Sequence, residues 1–148
     1  MLLLLLAALA VKPVSEVPHL YGHGKPAVLH FWATWCEACR DEFPALRSRF
    51  LKLPGRGVAL ELISIDAPAD SEQAEQMLEG YGLAKLPSLL LDAPNPDPVV
   101  AAVGVKKWDG TLPATFVYDS NGKLIRSFIG RIVNPSQLDS AIRHASGR

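Results

Sequence analysis

Phe31-Trp32-Ala33-Thr34-Trp35-Cys36-Glu37-Ala38-Cys39-Arg40 holds the two cysteines of a 148-residue chain at the point where an apolar strand hands over to a helix. Upstream, Ala27-Val28-Leu29-His30-Phe31-Trp32-Ala33 is a nearly continuous apolar run of strand length. Such a run suits a strand covered on both faces, as in a parallel sheet. Downstream, a helical pattern runs from about Cys36 to Leu51, with Phe43, Leu46 and Phe50 at i, i+3 and i+7 on one face. Pro44 falls inside this pattern and is expected to kink it. Gly55 and Gly57 end it.

Working outward, Val58 to Ile65 reads as a second strand. Asp70, with Gln73 three residues later, reads as the N-cap of a helix carrying Ala74, Met77, Leu78 and Tyr81, which Gly80 and Gly82 close. Leu86 to Leu91 is a further strand, and Asp97-Pro98 opens a short helix with Pro at the first helical position. Ala114 to Tyr118 and Leu124 to Ile129 are strand-like runs around Ser120-Asn121-Gly122-Lys123. Asn-Gly there signals a hairpin whose two turn residues need positive φ. Asn134-Pro135-Ser136 starts a last helix in which Leu138 and Ile142 share a face. The early alternation of strand and helix argues an α/β fold with a parallel sheet, to which the hairpin adds antiparallel strands.

The length suits one domain with a real core. With 49% hydrophobic residues and 15 basic against 15 acidic side chains, the chain has neither the low hydrophobicity nor the high net charge of a disordered one. The same balance argues against a nucleic-acid binder, and no apolar stretch is long enough for a transmembrane helix. Met1 to Val11 is wholly apolar, and Ala8-Leu9-Ala10 reads as an A-x-A cleavage site. We divide the chain into a signal-peptide-like leader (1–10), an irregular lead-in (11–23) and a main domain (24–148). No Lys or Arg precedes the apolar run, so a buried N-terminal strand or helix is the alternative. An export signal implies an oxidising, disulfide-permissive compartment.

Three uses of the cysteine pair compete. As a staple it closes a very short loop, worth only about 2 kcal/mol in the chain-entropy model. A metal site needs further ligands, and His19, His23, His30 and His144 form no pair at ligand spacing beside a second cysteine pair; no metal is expected. A redox pair explains the placement. The helix N-terminus stabilises a thiolate on Cys36, and Cys39 lies one turn on, within reach to resolve a mixed disulfide.

The stretch Phe31 to Arg40, with Glu42-Phe43-Pro44 after it, resembles the active site of the thioredoxin superfamily. It is most similar to the exported TlpA/ResA-like branch, which includes cytochrome c maturation thioredoxins. Gly24-Lys25-Pro26, Leu112-Pro113-Ala114-Thr115-Phe116 and Asn121-Gly122-Lys123-Leu124 match in order. The resemblance implies a thioredoxin-like fold, a central mixed sheet flanked by helices, with a helix-strand insertion between Asp66 and Leu91. It implies that Pro113 is a cis-proline facing the cysteines, that Leu112 offers its backbone to an extended substrate, and that Trp35 packs beside the nucleophile. It implies no cofactor beyond the Cys36–Cys39 disulfide.

Glu37 and Glu42 surround the pair with negative charge, which disfavours a nearby thiolate; Arg40 pulls the other way. The expectation is a reductant, with Glu42 tuning the thiols. His30 departs from the resembling sequences, which carry Asp or Asn there, and reads either as a proton relay for Cys39 or as a satisfied core histidine. Partners are expected to be protein thiols and disulfides and a membrane thiol donor, with no nucleic acid, for a monomer outside the cytoplasm. The rival readings are a non-catalytic adaptor or chaperone gripping segments near Pro113, and an oxidase or isomerase of secreted proteins.

Overall fold

A computed structural model of the chain describes residues 8–148. In chain order, β1 spans Val11–Pro13, β2 Ala27–Trp32, α1 Glu37–Lys52, β3 Ala59–Ser64, α2 Ser71–Gly80, β4 Ser88–Asp92, α3 Asp97–Val103, β5 Ala114–Tyr118, β6 Leu124–Ile129 and α4 Pro135–Ala145. The strands form one sheet in the order β1-β4-β3-β2-β5-β6. The first four are mutually parallel, whereas β5 runs antiparallel to β2, and β6 runs antiparallel to β5.

β2 lies inside the sheet, and all six of its residues are buried. Its alternation divides the core in two. Val28 and Trp32 join Phe43, Leu46 and Phe50 of α1 and Leu78 and Leu138 from α2 and α4. Leu29 and Phe31 join Val99 and Val103 of α3, Trp108 and Phe116 on the other face. His30 shares the α1 face with Val28 and Trp32, and that parity fixes what it meets.

Three local expectations change. The lead-in is not irregular: β1 pairs with β4, and a 3-10 helix spans Val14–Leu20. A three-residue strand ending in proline leaves no periodicity to read, and proline is tolerated there because the strand lies at the sheet edge. The hairpin turn uses positive φ at Gly122 alone, not at Asn121. The Gly122 N–H bonds to the Asp119 carbonyl at 3.0 Å, and the Asp119 carboxylate accepts from the Asn121 and Lys123 N–H groups. Asp119 thereby lets Asn121 keep ordinary φ. Asp70 stands at the N-cap of α2 but makes no capping hydrogen bond. Helix α1 runs as one element through Pro44.

The apolar leader falls mostly on residues 1–7, outside the described residues. Leu9 is buried, its N–H reaching the Ser71 carbonyl at 3.4 Å, and the Ala10 carbonyl accepts from the Leu90 N–H at 2.9 Å. Among the described residues no helix is long and apolar enough to cross a membrane.

Candidate active site

The parallel strands β2 and β3 end at the same edge, and the turn after β2 delivers Cys36 to the start of α1. Open parallel sheets bind their ligands at this edge. Cys36 is the N-cap residue: its Sγ accepts the Cys39 N–H at 3.1 Å. Cys36 and Cys39 are joined in a disulfide with Cα atoms 5.3 Å apart. On reduction the same N–H and the positive end of the helix favour a thiolate on Cys36. Cys36 is 7% exposed and Cys39 fully buried, so Cys36 is the residue of the pair that reaches solvent.

The turn before Cys36 is held from β3. Asp66, buried just past that strand, accepts from the Thr34 N–H at 3.0 Å, the Thr34 hydroxyl at 2.6 Å and the Ser64 hydroxyl at 2.7 Å. Three donors thus converge on one carboxyl group and fix the loop. Sequence reasoning assigned Asp66 no role. The available signal was an acidic residue directly after an apolar strand, at the edge where ligands bind.

Beneath the disulfide lies a polar cluster. α1 buries Cys39, Glu42, Phe43, Leu46 and Phe50, a stripe on which Glu42 occupies an apolar position. The Glu42 carboxylate accepts the Ile132 N–H from the loop before α4 through Oε2. Its Oε1 faces His30 Nε2 at 3.6 Å. His30 Nδ1 bonds to the Thr115 hydroxyl at 2.8 Å, across the register that sets His30 opposite Thr115 in β5. Burial raises the Glu42 carboxyl to about 7, against the opposing pull of the Ile132 N–H and the Arg131 charge. Burial also lowers His30 to about 3. The imidazole is therefore neutral at physiological pH, and its contact with Glu42 is not an ion pair.

The other expected residues lie around the pair. Glu37 is exposed at the first turn of α1. Trp35 precedes Cys36 with 66% of its surface exposed, so it projects into solvent and is not packed down. The Leu112–Pro113 bond is cis, at the start of β5. Among the described residues no group of three His, Cys, Asp or Glu side chains could hold a metal ion.

A family model described as AhpC/TSA matches residues 12–127. Curated relatives described as thiol-disulfide oxidoreductase ResA include one from Bacillus thuringiensis (strain Al Hakam), 32% identical over 107 residues, covering 72% of this chain and 56% of its own. Another, from Geobacillus thermodenitrificans (strain NG80-2), is 33% identical with coverage of 72% and 56%. The chain thus spans little more than half the length of these relatives. A solved structure from Chlorobium tepidum, described as a thiol:disulfide interchange protein DsbE, superposes with a TM-score of 0.63 at 26% identity, covering 84% of this chain and 82% of its own.

Proposed function

The chain belongs to the AhpC/TSA family of thioredoxin-like proteins, and from that membership we propose that it is a thiol-disulfide oxidoreductase working through Cys36 and Cys39. The observation that carries the reading is the disulfide itself. It lies at the N-terminus of α1, with Cys36 slightly exposed and Cys39 fully buried one turn before Glu42.

In the reducing direction, the Cys36 thiolate attacks a substrate disulfide and one substrate sulfur leaves as a thiolate. Cys39 then loses its proton and attacks Cys36 Sγ. The Cys36–Cys39 bond forms, and the bond to the substrate breaks with its electron pair on the substrate sulfur. Glu42 is the proposed acceptor of the Cys39 proton, because a carboxyl poised near 7 can hold a proton or release it at neutral pH. Its ionised form also disfavours thiolate, which lowers the stability of the reduced pair and supports a reductant over an oxidant. Glu37 adds exposed negative charge at the same end. Leu112 and Pro113 are proposed to line the substrate path, and Trp35 to contact the substrate.

The reading extends to place. The apolar start of the chain, as an export leader, supports work outside the cytoplasm on protein disulfides, with re-reduction by a membrane thiol donor; a role in cytochrome c maturation belongs to the same reading. The test is trapping. The Cys39→Ser variant should retain a mixed disulfide with its client, whereas Cys36→Ser should not. Redox titration against glutathione should give a potential below that of the glutathione couple. Equal trapping by both variants, or a strongly oxidising potential, would overturn the proposal.

A further inference from the structure

Disulfide exchange does not in itself call for an imidazole at position 30. His30 is fully buried, with its ring centroid 5.1 Å from that of Phe50 and 5.8 Å from that of Phe43. One nitrogen is satisfied by Thr115. The other, Nε2, has no hydrogen-bond partner among the described residues, and neither has the Glu42 Oε1 that it faces. Two unpaired buried polar atoms pointing at one another are costly unless a proton lies between them.

A neutral imidazole carries one N–H and one lone pair, and a hydroxyl can donate or accept. When Glu42 is ionised, Nε2 bears the hydrogen and donates to Oε1, while Nδ1 accepts from the Thr115 hydroxyl. When Glu42 is protonated, it donates to a bare Nε2, and Nδ1–H donates to the Thr115 oxygen. Each charge state of the carboxyl has a matching tautomer, and the ring is neutral in both. The other groups facing the pair leave this pattern intact. Cys39 lies one turn earlier on α1, Arg131 in the loop before α4 favours the ionised carboxyl, and β3 presents Leu62 beside His30.

We propose that His30, backed by Thr115, is a positioning residue that pairs with Glu42 in both protonation states by exchanging its Nε2–H tautomer for the Nδ1–H tautomer. It deepens the proposed exchange reaction and rests on it for the source of the proton. The proton leaving Cys39 Sγ is the one Glu42 gains, so His30, Thr115 and Glu42 together hold one more proton after Cys39 attacks than before, and Cys39 one fewer. His30 thus keeps the buried carboxyl hydrogen-bonded throughout, without itself becoming charged.

The test is nitrogen NMR of the imidazole in the intact protein, with carbon NMR of the Glu42 carboxyl, across pH 5 to 9. The expected result is the Nε2–H form above the carboxyl midpoint and the Nδ1–H form below it, both changes sharing that midpoint. A single tautomer throughout, or a ring that becomes cationic at that midpoint, overturns the proposal. In His30→Phe the ionised carboxyl loses its donor, so its midpoint should rise by about one pH unit or more, carrying the pH profile of disulfide exchange with it; an unmoved midpoint overturns the proposal. Should that variant fail to fold, the spectra of the unsubstituted protein decide. A tautomer switch in a protein without exchange activity would sink the proposed function and support the pairing, whereas an active protein with one fixed tautomer sinks the pairing alone.

Discussion

His30 Nε2 and Glu42 Oε1 face each other at 3.6 Å inside the core, one from the central strand and one from the helix that carries the cysteines. Each is perturbed by the same burial, and in opposite directions. The carboxyl is raised because its charged form loses water; the imidazole is lowered for the same reason. The two therefore give stability opposite dependences on pH, over windows that overlap.

For Glu42 the folded value, about 7, lies above the ordinary 4.5, so the native state binds more protons between those limits. Its contribution is fully present below pH 4.5 and is lost as the pH rises to about 7. Glu61, also raised to about 7 by burial with Glu16 nearby, acts in the same window, so the informative quantity is a difference between proteins. Glu42→Gln keeps an acceptor for the Ile132 N–H but removes the buried charge. Urea denaturation should find it more stable than the parent by about 1–3 kcal/mol at pH 8 and no more stable at pH 4.5. A gain of equal size at both values would show that the charge is not what matters.

For His30 the sign reverses. Its folded value of about 3 lies below the ordinary 6.5, so the unfolded chain binds more protons between them. The contribution is complete above pH 6.5 and declines as the pH falls toward 3. His30→Asn should therefore flatten the loss of stability on the acid side, whatever it costs at pH 7. Denaturation midpoints at pH 4 and pH 7 test this, and an undiminished acid slope in the variant would point to other groups.

The site was legible in the sequence to the extent that its residues lie along one element. Cys36, Cys39 and Glu42 share α1, and their spacing alone puts the latter two on one face. The strands β5 and β6 were readable to the residue because their apolar runs end at turn residues. What spacing could not give was contact between elements. That His30 meets Glu42, or that Thr115 completes the row, depends on the register between β2 and β5 and on which face of β2 looks at α1. The Ile132 N–H reaches Glu42 across 90 residues of chain, and no local pattern announces it. Strand β1 went unread because pairing across the sheet edge, not its own three residues, makes it a strand.

Asp66 gives a prediction that the motif does not contain. Three donors, two of them on Thr34, converge on its buried carboxylate, so Asp66→Ala leaves them without a partner. The expected cost is about 2–4 kcal/mol in urea denaturation. The turn that presents Cys36 should also loosen, seen as faster hydrogen exchange of the Thr34 amide and slower reaction of the reduced protein with small disulfides. Unchanged exchange at Thr34 would mean that the turn holds itself.

Trp35 separates stability from recognition. With 66% of its surface in solvent beside Cys36, it contributes little burial to the fold, and Trp35→Ala should change stability by no more than about 0.5 kcal/mol. An extended substrate whose disulfide reaches Cys36 must pass this ring and would cover it. The variant should therefore lose about tenfold in kcat/KM on a peptide disulfide, mostly through KM, equivalent to about 1.4 kcal/mol. On bis(2-hydroxyethyl) disulfide, too small to span the ring and the sulfur together, it should lose almost nothing. Parallel assays of the two substrates decide the matter. An equal loss on both would place the effect on Cys36 itself and remove Trp35 from the substrate surface.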